Sequence, residues 1–163
     1  MAQRIKAGEA GFTYLAALFL VAILSLMSLM AVQTWKTAEQ REKERQLLFV
    51  GEQYRHAIQL YYDLSPGSVK KYPKELNDLI LDKRATRIIR PIRQLFLDPM
   101  NSSAQWGIVD APDGGIMGVF SLSTALPIKQ DGFTEQEADF TGQTQYQGWK
   151  FIYTPKPPSF PRF

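Results

Sequence analysis

Residues 12–32 form a run of 21 residues without a single charged side chain. As a helix such a run rises roughly 31 Å, which matches a hydrocarbon core of about 30 Å. A helix that is apolar on every side for this length needs apolar surroundings on every side, so the run points to a membrane span. The hydroxyls of Thr13, Ser25 and Ser28 are tolerable there, because a helical hydroxyl can donate back to its own backbone. A cleaved secretory signal has a shorter apolar core, about 7–15 residues, followed by small residues. The stretch Ser28-Leu29-Met30-Ala31 is a poor cleavage site of that kind. We therefore expect a transmembrane helix over residues 12–33. The flanking charges leave its orientation open: Arg4 and Lys6 oppose Glu9 on one side, and Lys36, Arg41, Lys43 and Arg45 alternate with Glu39, Glu42 and Glu44 on the other.

The remainder suits one domain of ordinary size, since the whole chain has 163 residues. A hydrophobic content of 45% excludes a disordered chain. The net charge of +3 is too mild to imply nucleic acid by itself. With no cysteine, a disulfide scaffold, a thiolate zinc site and a cysteine nucleophile are all excluded.

Residues 34–63 continue the helix. They contain no proline and one glycine, Gly51, and Val50, Tyr54, Ala57, Ile58 and Tyr61 recur at spacings of three and four, which places them on one face. Before them, Glu39–Lys43, Arg41–Glu44 and Glu42–Arg45 have the spacing of helical ion pairs, so the charge run reads as a solvated stretch. Nothing breaks the helix between the two segments, and together they form a rod of about 50 residues, roughly 75 Å long.

Ser65-Pro66-Gly67-Ser68 ends the rod. A short helix is expected from Tyr72-Pro73, with Leu76, Leu79 and Ile80 on its inner face. Strands are expected from Trp106 to Val109, from Ile116 to Leu122 and from Trp149 to Tyr153; the first two flank the turn Pro112-Asp113-Gly114-Gly115. The prolines at 155, 157, 158 and 161 make the tail an extended arm. The expected fold class is α+β: a long N-terminal helix, membrane-spanning in its first half and amphipathic in its second, packed on a small antiparallel sheet. The expected divisions are a leader at 1–11, the span at 12–33, the amphipathic helix at 34–63, a globular head at 64–153 and the tail at 154–163.

The pattern of an enzyme is missing. His56, the sole histidine, sits in the amphipathic helix beside Arg55 and reads as structural or solvated. Ser68 and Lys71 have the spacing of a Ser-x-x-Lys pair, but lie in a Pro/Gly turn without the companion motifs that chemistry needs. Asn101-Ser102-Ser103 fits a glycosylation sequon, which carries no catalytic chemistry. The basic stretch with Arg84, Arg87, Arg90 and Arg93 is the sharpest candidate for an anionic partner, such as another subunit, a lipid headgroup or DNA. Aromatic residues for base stacking are missing between Lys83 and Gln94, so nucleic acid is not the expected partner.

Gly11-Phe12-Thr13 after a short basic leader resembles the prepilin-peptidase junction of the type IV pilin and type II secretion pseudopilin superfamily. Tyr72-Pro73 followed by Leu76 and Leu79, then Asp98-Pro99, Trp106-Gly107 and Ser121-Leu122-Ser123, is similar to the order found in major pseudopilins. The resemblance implies cleavage between Gly11 and Phe12, methylation of the new amino group, and membrane and assembly contacts through Phe12, Tyr14, Leu15, Ala16, Leu18 and Leu20. It further implies a non-enzymatic structural subunit contributing to protein secretion. Such a subunit would be a single-pass protein of the bacterial inner membrane with a periplasmic C-terminal domain. Its partners would be other pilin-like subunits, prepilin peptidase, an inner-membrane assembly platform and the lipid bilayer. The alternatives are a minor pilin of an adhesion, twitching or DNA-uptake pilus, and a membrane-anchored periplasmic domain that never assembles.

The family usually places a glutamate at the fifth mature residue, where this chain has Ala16. A carboxylate in hydrocarbon costs about 2.5–3.5 kcal/mol and needs a partner. Ala16 removes that cost and, with it, a means of setting one subunit against the next, which points to a minor or tip-proximal subunit or to a divergent member of the family. Major pseudopilins also bind calcium in a late acidic loop; Asp131, Glu135, Glu137 and Asp139 are the comparable oxygen donors. Their spacing is not that of an EF-hand, and a capping interaction between Thr134 and Glu137 is the preferred reading. No metal or other cofactor is expected.

Overall fold

The unbroken helical pattern is realised as one helix, α1, over Ala7–Asp63 in the computed structural model. The structure describes residues 7–82, 84, 88–102 and 105–155, with the side chains of residues 7–10 and 28–34 excepted. Two compact units divide it, Met1–Gln40 and Arg41–Phe163. The boundary falls inside α1, so its residues from Arg41 onward belong with the head.

In the first unit, residues 11–27 are helical and exposed throughout. Ser25 Oγ donates to the Val21 carbonyl at 2.8 Å, the back-bonding that makes a hydroxyl tolerable on an apolar helix. Among the described residues no helix is long and apolar enough to cross a membrane. The expected span at 12–33 lies only partly within the described residues, because the side chains of residues 28–33 are outside them.

In the second unit, α1 turns one face inward. Val50, Tyr54, Ala57, Ile58 and Tyr61 are buried as their spacing requires, and Leu47 joins them. Opposite lies a three-stranded antiparallel sheet in the order β1-β2-β3: β1 is Gly107–Asp110, β2 is Ile116–Phe120 and β3 is Lys150–Ile152. The register pairs Ile108 with Val119 and Val119 with Phe151, with an irregularity at Val109/Asp110. The core joins Leu47, Tyr54, Ala57 and Ile58 to Leu79, Val119, Phe140, Tyr146, Trp149 and Phe151. Gly51 has a packing reason: a Cβ built there would lie 2.3 Å from the Phe151 ring, so only glycine lets the ring meet the helix backbone.

The expected turn at residues 112–115 closes the β1–β2 hairpin. Gly114 adopts a φ of 79°, Ala111 N–H donates to the Gly115 carbonyl at 2.7 Å, and Gly115 N–H donates to Asp113 Oδ1 at 3.1 Å. Three expectations are corrected. The short helix is a 3-10 turn over Leu76–Leu79 that starts after Tyr72-Pro73, with Pro73 buried and Leu79 fully inside. Both later strands are shorter than expected, so Ser121-Leu122-Ser123 follows β2 instead of lying in it. Residues 156–163, most of the expected arm, lie outside the described residues, as do residues 1–6 of the leader.

The end of α1 shows why the rod stops. Ser65 Oγ donates to the Tyr61 carbonyl at 3.1 Å, and Gly67 turns the chain at a φ of 84°. Lys70 Nζ donates to the carbonyls of Asp63 at 2.7 Å and Ser65 at 3.1 Å, supplying a cation where the helix dipole is negative.

Candidate functional site

The expected assembly residues lie on α1 of the first unit. Gly11 is helical and open, with no atom within 4 Å of a Cβ built on it. Phe12 is 74% exposed, and Tyr14, Leu15, Leu18 and Leu20 all keep more than half of their surface. Ala16 is exposed between them. These large apolar side chains are left uncovered together.

The motif residues in the head meet in space. Asp98, fully buried, accepts from Ser121 Oγ at 2.7 Å, from Met100 N–H at 2.9 Å and from Asn101 Nδ2 at 3.1 Å. Ser121 Oγ in turn accepts from Ser123 N–H at 3.1 Å. Trp106 Nε1 donates to the Phe96 carbonyl at 2.9 Å, and Tyr54 Oη accepts from Phe96 N–H at 2.9 Å. Aspartate, serines and tryptophan thus fasten the 96–102 segment between α1 and the sheet. Beside it runs a groove of about 440 Å³, whose lining includes Phe49, Val50, Phe96, Leu97 and Pro99 together with Lys43.

Glu44 departs from the solvated charge run. It is only 4% exposed, and its Oε1 accepts from Ile128 N–H at 2.6 Å, Lys129 N–H at 3.2 Å and Tyr146 Oη at 2.8 Å. A glutamate one helical turn before the buried stripe, with Leu47 and Val50 continuing its face, was the available signal. Glu42 keeps the expected exposed pairing with Arg45.

The basic stretch does not act as one patch. Arg84 is engaged inside the head: its guanidinium donates to Asp82 Oδ1 at 2.9 Å and Oδ2 at 2.8 Å, Ser65 Oγ at 2.9 Å and the Tyr61 carbonyl at 2.7 Å, with its centre 3.4 Å from the Tyr61 ring centroid. Hydrogen bonding from the Arg84 side chain holds the buried Asp82 carboxyl below the usual carboxylate range, against desolvation that pushes the other way. The same bond raises Arg84. Arg84 is therefore withdrawn from the expected anionic-partner patch, because four of its five N–H donors are already engaged inside the head. Arg90 and Arg93 are exposed, and Arg87 lies outside the described residues.

The four candidate calcium donors are not gathered. Among the described residues no three metal-ligating side chains come together. Glu137 is buried and serves the capping box of the 3-10 helix Glu135–Phe140: Thr134 Oγ1 donates to Glu137 Oε2 at 2.9 Å. Asp131, Glu135 and Asp139 are exposed. His56 is exposed on α1, and Ser68 and Lys71 are exposed in the turn.

Burial and a hydrogen bond from Tyr153 Oη to Asp63 Oδ1 at 3.0 Å push the Tyr153 phenol up to about 12. With Tyr62 and Tyr72 packed beside it, Tyr153 ties the end of β3 to the end of α1.

No family model, curated protein or solved structure matches the chain.

Proposed function

We propose that the chain is a pseudopilin-like structural subunit that is held in the bacterial inner membrane and then enters a short periplasmic fibre serving protein secretion. The observation that carries this reading is the division of labour along α1. Residues 11–27 are exposed and carry apolar side chains at nearly every position, while Leu47, Tyr54, Ala57 and Ile58 are wholly buried in the core of the head. A helix with one half folded into its own head and the other half bare is built to exchange one apolar environment for another, first lipid and then neighbouring helices. Its work is assembly and not catalysis. Gly11 and Phe12 form the processing junction, and Phe12, Tyr14, Leu15, Ala16, Leu18 and Leu20 form the surface that neighbours cover.

Recovery of the full chain from its native host tests this. Fibres sheared from cells, or crosslinked in the envelope before lysis, are expected to contain the chain in a ladder of pilin-like subunits. A chain found only as a membrane-bound monomer, with no crosslinked ladder, contradicts the proposal.

A further inference from the structure

Trp35 differs from the other two tryptophans of the chain. Trp106 and Trp149 are buried in the head, whereas Trp35 is 79% exposed on α1. Its ring is apolar and carries a single N–H donor. Neither water nor hydrocarbon satisfies both parts, and a boundary that is apolar on one side and wet on the other does. The sequence around Trp35 has the composition of such a boundary. The apolar run ends at Val32, Gln33 and Thr34 are polar but uncharged, and Lys36 is the first charge after Glu9.

Tyr14 is its counterpart at the other end of the run. It is 68% exposed and joins an apolar ring to a polar tip in the same way. α1 is continuous from one residue to the other. Their separation of 21 residues corresponds to about 31 Å of rise, and their directions around the helix differ by about 60°. A hydrocarbon core is about 30 Å thick. Phe19, the aromatic residue between them, has no polar atom to satisfy, and Ser25 is bonded back to the Val21 carbonyl. Tryptophan and tyrosine at both headgroup levels, with hydrocarbon between, are the usual ends of a spanning helix.

We infer that Trp35 is a lipid-headgroup anchor, which holds one end of α1 in the headgroup layer while Tyr14 occupies the opposite layer. This rests on the proposed function and deepens it, by naming the part of the membrane that each end of the helix binds. The pair sets the depth of the helix. Sinking by one turn, about 5.4 Å, carries the Lys36 ammonium toward hydrocarbon, where a charge is costly. Rising by one turn returns the Trp35 ring to water. Both displacements are opposed, so the anchor fixes where the chain sits until it leaves the lipid.

The test uses the full-length chain, purified from its native membrane and returned to phosphatidylglycerol-containing vesicles. Their lipids carry bromine near the headgroup, midway along the acyl chain or at its end. Subtracting the fluorescence of a Trp35→Phe variant leaves the signal of Trp35. Bromine near the headgroup is expected to quench it most, and aqueous iodide only weakly. Strongest quenching from the ends of the acyl chains would place the ring at the bilayer centre and overturn the inference. So would strong quenching by iodide with none from any brominated lipid, which leaves the ring in water. Protection from both would overturn it as well, since protein then covers the ring. Because the chain has no cysteine, a Val32→Cys variant reports on depth independently. Its labelling by a membrane-impermeant maleimide should be slow, should speed up when Trp35→Leu is added, and should stay slow with Trp35→Tyr, which keeps a ring with a polar tip. Equal rates in all three would show that Trp35 sets no depth. A chain that does not float with the vesicles sinks the membrane reading of the proposed function; one that floats with Trp35 away from the headgroups sinks the anchor alone.

Discussion

Ser121 Oγ donates to Asp98 Oδ2 at 2.7 Å across 23 residues of sequence, and neither side chain is open to solvent. This bond joins the segment beside α1 to the residue that follows strand β2, and it ties the Asp-Pro pair to the late Ser-Leu-Ser stretch. Removing the carboxylate leaves Ser121, Met100 N–H and Asn101 without their acceptor, and a buried unsatisfied group costs about 1–3 kcal/mol. Asp98→Ala should therefore lower the stability of the chain in detergent by about 3 kcal/mol. Ser121→Ala should cost about half as much, and the double variant less than the sum. Additive losses in denaturant titrations would show that the bond carries no coupling energy.

Gly51→Ala separates packing from propensity. In an open helix the change stabilises by about 1 kcal/mol. Here the new Cβ would meet the Phe151 ring at 2.3 Å, and overpacking of this kind costs about 1–3 kcal/mol. A lower melting temperature is expected, partly recovered by adding Phe151→Leu. A rise in melting temperature would show that the helix does not approach the sheet so closely.

Two glutamates two positions apart should behave differently. Glu44→Ala strips three donors of their shared acceptor and should cost about 2–4 kcal/mol. Glu42→Ala breaks an exposed pair with Arg45 and should change stability by less than about 1 kcal/mol. Equal effects of the two in thermal melts would contradict the burial of Glu44.

The pH dependence of the head should carry the mark of Asp82. Its folded-state pKa is lowered, chiefly by the Arg84 side chain, with Tyr61 and Asp78 the other titratable groups nearby. A lowered carboxylate contributes stability that is present above its unfolded value of 3.8 and is lost as pH falls through the folded one. Unfolding measured from pH 5 downward should show this loss in the native chain. Arg84→Gln should flatten the curve below pH 4 while lowering stability at pH 7. An unchanged slope would mean that the pair does not form.

Much of the head was legible in the sequence, because a helix face with spacings of three and four has one solution and a Pro-Asp-Gly-Gly turn has few. Val50, Tyr54, Ala57, Ile58 and Tyr61 and the β1–β2 hairpin follow from local pattern. What was hidden depends on contacts far apart in the chain. Glu44 looks like its exposed neighbours until Ile128, Lys129 and Tyr146 arrive, 84 to 102 residues later. Arg84 looks like part of a basic stretch until Ser65 and the Tyr61 carbonyl, 19 and 23 residues away, absorb its donors. The role of Gly51 is invisible without Phe151. The expected transmembrane span rests on an apolar run that the described residues cover only in part.

The most direct test of the account is the mass of the N-terminal peptide of the chain isolated from its native membrane. The account predicts a chain that begins at Phe12, its exposed Gly11–Phe12 junction having been cut and the new amino group methylated. A chain that still begins at Met1 would contradict it and leave an uncleaved anchor with a folded head.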